Sequence, residues 1–321
     1  MKKLMTIFSA LLITSVFSIF VVPNSHMVKA DNNTPVITLG TSLTSSQRQG
    51  TIDTLTQSLD GTNYRTITIT GADLVKYLNP SGADFTNNSG VWSSALIQKT
   101  ASGSGINVHI LPYNGHNNIT TITANQYKNA ALTAGITDAN IYVTSASPID
   151  GSGALAGVYA AYAQNGQSLN QNQINAAQDE MNTLSGITEQ NKGKEGYSDA
   201  QLNNAIAGAK AEMAKQGNNI SNNDIRNIVN NQININHLGD TITNNQKEEI
   251  INLLIKIKNS GALNNKTFAQ QANKLTDQIQ SGAKNIFSKF NTPETRNWFQ
   301  QIIDTIVNWF KGLFGGVIIY N

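Results

Sequence analysis

The chain has 321 residues, with 22 Lys or Arg against 20 Asp or Glu and a formal net charge of +2. At 13% charged residues, so small an excess excludes a nucleic-acid binder that works by bulk charge, which needs a clear basic surplus. There is no cysteine, which excludes disulfides, zinc-thiolate sites, iron–sulfur clusters and thiol nucleophiles.

Lys2 and Lys3 precede an apolar run from Leu4 to Val22, and Pro23 and the small-residue site Val28-Lys29-Ala30 follow. This three-part pattern reads as an export signal cleaved after Ala30. The run is long enough that a retained anchor is the alternative. Beyond residue 30 there are 19 basic against 20 acidic residues, so the rest of the chain is nearly neutral. No later segment reaches the roughly 20 apolar residues that a spanning helix needs. The expected location is secreted or extracytoplasmic, in a bacterial cell envelope. At 39% hydrophobic residues the chain can build a packed core, and its 43 Asn, interleaved with helical apolar patterns, read as surface filler and helix caps.

Residues 31–167 alternate short β-branched runs with helical ones. The expected elements are a strand at Val36–Leu39, a helix over Ser45–Leu59, a strand at Arg65–Thr70 and a short helix over Ala72–Leu78. Strands at Ala95–Thr100 and Ile106–Leu111 follow, split by the turn Ser102-Gly103-Ser104-Gly105 and read as a hairpin. A helix over Ala124–Ala134, a strand at Ile141–Val143 and a helix over Ala154–Gln164 complete the set. The expected fold is an α/β N-terminal domain, a mixed sheet with helices, then an all-α helical domain over residues 168–292, and a C-terminal amphipathic helix with an apolar tail over residues 293–321.

Helix starts share one grammar: an apolar residue, then Ser, Thr or Asn, two free positions, and Gln or Asp. It occurs at Thr44/Gln47, Thr123/Gln126, Asn170/Gln173, Ser198/Gln201, Ser221/Asp224 and Thr243/Gln246. The cap side chain accepts from an orphan first-turn amide while the Gln or Asp reaches back, which is a capping box. Ile187–Gly196 and Ser260-Gly261-Ala262 read as breaks, and Pro293 opens the last helix.

Several words of sequence resemble one family. They are Leu39-Gly40-Thr41-Ser42-Leu43-Thr44 with Gln47-Arg48, Asn118-Ile119-Thr120, Tyr127 to Ile136, and Pro148 with Ser152-Gly153-Ala154-Leu155-Ala156-Gly157-Val158. In this order they resemble the secreted bacterial domain of unknown function 1002 family. The resemblance implies an exported protein of the Gram-positive envelope type and supplies no catalytic residues.

For chemistry, Gly151-Ser152-Gly153 opens a helix after a strand, where free amides favour a phosphate or carboxylate. The plainer reading is a tight turn in which Ser152 caps and Gly157 permits close packing. The loop lacks the Lys of a P-loop and the acidic strand end of a dinucleotide site. Ser281-Gly282-Ala283-Lys284 matches the Ser-x-x-Lys of penicillin-recognising enzymes, but their later elements are missing, so chance explains it. His109, His116 and His237 lack a ligand spacing, and Asp84 with Asn87 and Asn88 does not make a calcium loop, so no metal and no cofactor are expected. The adjacent acids Asp179-Glu180 and Glu248-Glu249 read as solvated helix faces.

In residues 293–314 a helical wheel places Trp298, Phe299, Ile302, Ile306, Trp309, Phe310 and Leu313 on one half, with Gln300, Asp304, Asn308 and Lys311 opposite. This face either docks on the protein's own helices or meets a membrane surface or partner. The leading functional reading is a non-enzymatic exported protein that binds a wall polymer, a lipid surface or another exported protein. The rival is a hydrolase or transferase on wall polysaccharide, with an acid pair drawn from Asp73, Asp84 and Asp150.

Overall fold

The computed structural model describes residues 33–167 and 169–290. The described residues cluster as one compact unit. Ten helices and five strands are described, in the order β1 (Val36–Gly40), α1 (Ser45–Thr56), β2 (Arg65–Ile69), α2 (Gly71–Leu78), β3 (Ser93–Lys99), β4 (Ile106–Ile110), α3 (Ala124–Thr133), β5 (Ala139–Ser145) and α4 (Ser152–Gln164), then helices alone. These are α5 (Gln171–Asn191), α6 (Asp199–Gln216), α7 (Asn222–Ile235), α8 (Asn244–Asn259), α9 (Phe268–Gly282) and the short α10 (Lys284–Phe287).

The sheet is mixed, as expected, but not by way of a hairpin. Its order is β2-β1-β3-β5-β4, with β2 parallel to β1, β4 parallel to β5, and β3 antiparallel to both β1 and β5. β5 lies between β3 and β4. The reason is length and burial. β3 and β5 match over seven residues, from Ser93 opposite Ser145 to Lys99 opposite Ala139, and bury Ala95 and Ile97 beside Val143 and Ile141 on one face and Leu96 beside Tyr142 on the other. The glycine turn, with Gly103 at φ 81 and Gly105 at φ 83, carries the chain past that slot instead of folding it back.

Among the described residues one face of the sheet carries α1 alone, where Ile37, Leu39 and Leu96 meet Leu55 and Leu59. The other face is covered by α2, α3 and α4, and its apolar cluster runs on without a break into α5 to α9. This explains why α4 is buried continuously from Gly153 to Tyr162: it lies between sheet and helices, so no side of it meets water. Gly157 allows the approach, since a Cβ there would fall 2.3 Å from the Thr38 hydroxyl.

The capping boxes at Thr44, Thr123, Ser221 and Thr243 close fully. Two others differ. Asn170 accepts from the amide of Asn172, two residues on, and Ser198 accepts from Gln201 N while donating to the Gln201 side chain, which therefore does not turn back. A further box, Thr70 with Asp73, opens α2. The Ile187–Gly196 break begins later than expected, because α5 runs to Asn191.

Candidate functional site

The carboxyl ends of β1, β2, β4 and β5 point to one end of the sheet, where open α/β sheets form their ligand crevices. The loop after β1 is held there by hydroxyls. Gly40 N–H donates to Ser94 Oγ at 3.2 Å, Ser42 N–H to Val91 O at 3.0 Å, and Val91 N–H to Ser42 Oγ at 2.9 Å. Gly40 must lack a side chain, because a Cβ would fall 2.2 Å from Val91 O. From the α4 side, Ala154 N–H donates to Ser93 Oγ at 2.9 Å.

The loop from Ser145 to Gly153 is tied to residues 118–127. Asn118 Nδ2 donates to Ser145 O at 2.9 Å, Ile149 N–H to Asn118 O at 2.9 Å, and Thr120 N–H to Ile149 O at 2.8 Å. The buried Tyr127 hydroxyl donates to Gly151 O at 2.7 Å, and its pKa is raised by burial and then by the Asp150 charge. Gly151 is left-handed, φ 110, with Tyr127 Oη 2.3 Å from where its Cβ would sit. Thr41, Thr44, Pro148 and Asp150 follow β1 and β5 at this end of the sheet, all exposed. Trp92, just before β3 and so at the same end of the sheet, is 36% exposed, and with Tyr64 it makes up the exposed large hydrophobic side chains of the described residues.

The segments brought together here span most of the chain's α/β part, and residues 39–275 match the family described as "Protein of unknown function (DUF1002)". The chain belongs to the DUF1002 family. It is also 28% identical over 296 residues to the "Uncharacterized protein YpuA" of Bacillus subtilis (strain 168), covering 92% of this chain and 93% of that protein. No solved structure matches the chain.

In this DUF1002 chain Ser152 is the first residue of α4 and does not cap it. Asp150 does, taking Ser152 N–H at 3.1 Å and the Ser152 hydroxyl at 2.5 Å. The amides of Ser152 and Ala154 are thus engaged by Asp150 and Ser93. Asp73 is engaged likewise, accepting Thr70 N–H at 2.8 Å and the Thr70 hydroxyl at 2.9 Å, and Asp84 is exposed in the loop before β3. Ser281 lies in the last turn of α9, which ends at Gly282, and Lys284 begins α10 after the break at Ala283, so they do not sit one turn apart on a single helix. His109 stacks on Tyr142 with ring centroids 5.1 Å apart, and burial lowers the pKa of His237. Among the described residues no three His, Cys, Asp or Glu side chains group to hold a metal. Trp298, Phe299, Ile302, Ile306, Trp309, Phe310 and Leu313 lie outside the described residues.

The sequence reading of Asp179-Glu180 as a solvated pair is corrected. Asp179 is partly exposed and pairs with Lys256 at 2.8 Å, but Glu180 is fully buried, 2.9 Å from a fully buried Lys210. Lys210 spends its three N–H bonds on Glu180 Oε1, Asn129 O at 3.0 Å and Thr133 Oγ1 at 3.2 Å, and Thr133 donates to Glu180 Oε2 at 2.5 Å. Burial pulls the Lys210 pKa down, against the Glu180 charge. The network continues through Asn129 and Asn203 to Asp199, which also accepts from Thr123 and Asn125. It fixes α5 and α6 on α3 and does not open to solvent at Lys210 or Glu180. A separate polar groove of about 470 Å³ lies between α5 and α8, lined by Asn172, Asn175, Asp179, Lys256, Asn259 and Ser260.

Proposed function

We propose that this DUF1002 protein is exported and binds the sugar backbone of a cell-wall polymer, without turning it over, at the carboxyl-end crevice beside Trp92. Export rests on Lys2, Lys3, the apolar run and the Ala30 site. The observation that carries binding is Trp92, a large indole left 36% exposed at the hydroxyl-bearing end of the sheet. An indole face stacks on the C–H face of a sugar ring while Thr41, Ser42 and Thr44 exchange hydrogen bonds with its hydroxyls, the mix of apolar wall and few polar groups that ligand sites use. A neutral sugar fits better than a phosphate, because the Ser152 and Ala154 amides of α4 are already taken by Asp150 and Ser93, and the Asp150 carboxylate would repel an anion.

Absence of turnover is supported by the acids of the rival hydrolase reading. Asp73 and Asp150 each accept hydrogen bonds at the start of their own helix, α2 and α4, instead of facing a substrate as an acid and base. The apolar half of residues 293–314 adds an attachment to anionic lipid, in keeping with 9 Lys or Arg against 5 Asp or Glu in residues 241–321.

The test is co-sedimentation of the chain with purified insoluble wall, with reducing sugar assayed in the supernatant. Retention that drops several-fold in Trp92→Ala, with no sugar released, is the expected result. Sugar release by wild type, or equal retention of both proteins, contradicts the proposal.

A further inference from the structure

Among the described residues β2 is an edge strand, bonded on one side only, to β1. The flanking bonds fix which of its backbone groups are used: Arg65 N–H donates to Pro35 O at 2.9 Å, and Ile69 O accepts from Thr41 N–H at 2.9 Å. In a parallel ladder the N–H and C=O of one residue point the same way and those of the next point the opposite way. Arg65, Ile67 and Ile69 therefore face β1, and the N–H and C=O of Thr66 and Thr68 face outward. Both residues are exposed.

The opposite edge differs. At β4 the side chain of Gln278 on α9 reaches Ser104 O and Asn107 Oδ1, and Ile106 and Val108 are buried. Among the described residues the β2 edge lacks the usual protections: its register with β1 has no bulge, it holds no Pro or Lys, and the Arg65 guanidinium is turned to Asn165 at the end of α4. Immediately before it stands Tyr64, 40% exposed. Exposed aromatics next to unpaired backbone are what strand-addition interfaces use.

We infer that the chain forms a dimer by antiparallel pairing of β2 with β2 of a second copy, about a two-fold axis at Ile67. In that register Thr66 lies opposite Thr68 of the second copy and the reverse, so every outward group of both threonines is bonded, and Tyr64 lies opposite Thr70. The strand is thus complementary to itself, as an isologous interface requires, and the threonines supply favourable cross-strand pairs. An unrelated extended peptide would satisfy the same groups but has no reason to match the threonine pair.

The test is sedimentation equilibrium of the full chain and of Thr68→Pro, combined with amide hydrogen exchange. Proline at position 68 removes an outward donor only, so the β1 ladder and the thermal melt stay intact. By symmetry it deletes two bonds of the interface, and the dissociation constant rises roughly tenfold or more. A wild-type dimer that becomes monomeric in folded Thr68→Pro supports the inference. A wild-type monomer at the highest attainable concentration, or a dimer that survives the substitution, overturns it. Should Thr68→Pro unfold, wild-type exchange decides: slow amides at Thr66 and Thr68 support the pairing, and fast ones overturn it.

Discussion

Lys210 sits in the run Ala205-Ile206-Ala207-Gly208-Ala209-Lys210-Ala211, whose small apolar residues are buried with it. Removing one partner of a buried ion pair leaves a bare charge, so Lys210→Met is expected to lower unfolding free energy by about 3–5 kcal/mol. The double change Lys210→Met with Glu180→Leu is expected to recover most of that loss, since no charge is then left unpaired. Urea denaturation of the three proteins checks both outcomes. This pair was partly legible. Glu180 follows buried Ala177 by three positions and precedes buried Leu184 by four, which places it on the core stripe of α5. Read as a neighbour of Asp179 it looks solvated; read on its own face it does not.

Asp199 gives the pH dependence. Burial raises its pKa, and hydrogen bonds from Thr123, Asn125 and Asn203 and the charge of Lys128 only partly offset the rise. A carboxylate whose folded pKa lies above its unfolded one binds more protons folded than unfolded. Its contribution to stability is therefore complete below the unfolded value, about 3.9, and is lost as pH rises through the raised folded value. Stability should fall across that window in wild type, and this component of the slope should vanish in Asp199→Asn. Chemical denaturation at a series of pH values measures it, and an identical slope in the two proteins contradicts the assignment.

At the scale of elements, glycines separate packing from propensity. A Cβ at Gly157 on α4 would strike Thr38, whereas Gly186 within α5 has nothing within 4 Å of its Cβ position. Gly157→Ala is expected to destabilise by roughly 1–3 kcal/mol through overpacking, while Gly186→Ala gains about 0.5–1 kcal/mol from backbone entropy. Opposite shifts of the thermal midpoint are the result to look for. Element identity was legible because β-branched runs and capping side chains are local signals, and four of the six expected boxes close as read. Strand order was not. The Ser102–Gly105 turn has hairpin chemistry, but the partner that β3 takes is set by the longer apolar match with β5, 40 residues on, and a local reading does not weigh it.

For the whole molecule, the crevice was legible as separate words of sequence and not as a place. Ser42, Ser93, Ser94, Tyr127 and Gly151 meet only because β1, β3 and β5 are neighbours. Trp92, two residues after Gly90, is marked in the sequence only as an aromatic side chain. No helix among the described residues is long and apolar enough to cross a membrane, and the proposed lipid attachment rests on the apolar half of residues 293–314. A chain ending at Thr292 is expected to lose flotation with anionic vesicles while keeping its thermal melt. A lowered melt with no flotation by either form contradicts attachment. The claim on which the functional account stands is that the Trp92 crevice holds wall sugar. Calorimetric titration of wild type and Trp92→Ala with soluble wall glycan fragments tests it most directly. The account predicts saturable, enthalpy-driven binding by wild type that weakens by tenfold or more, about 1.4 kcal/mol, in the variant; no heat with wild type, or equal affinity for both proteins, contradicts it.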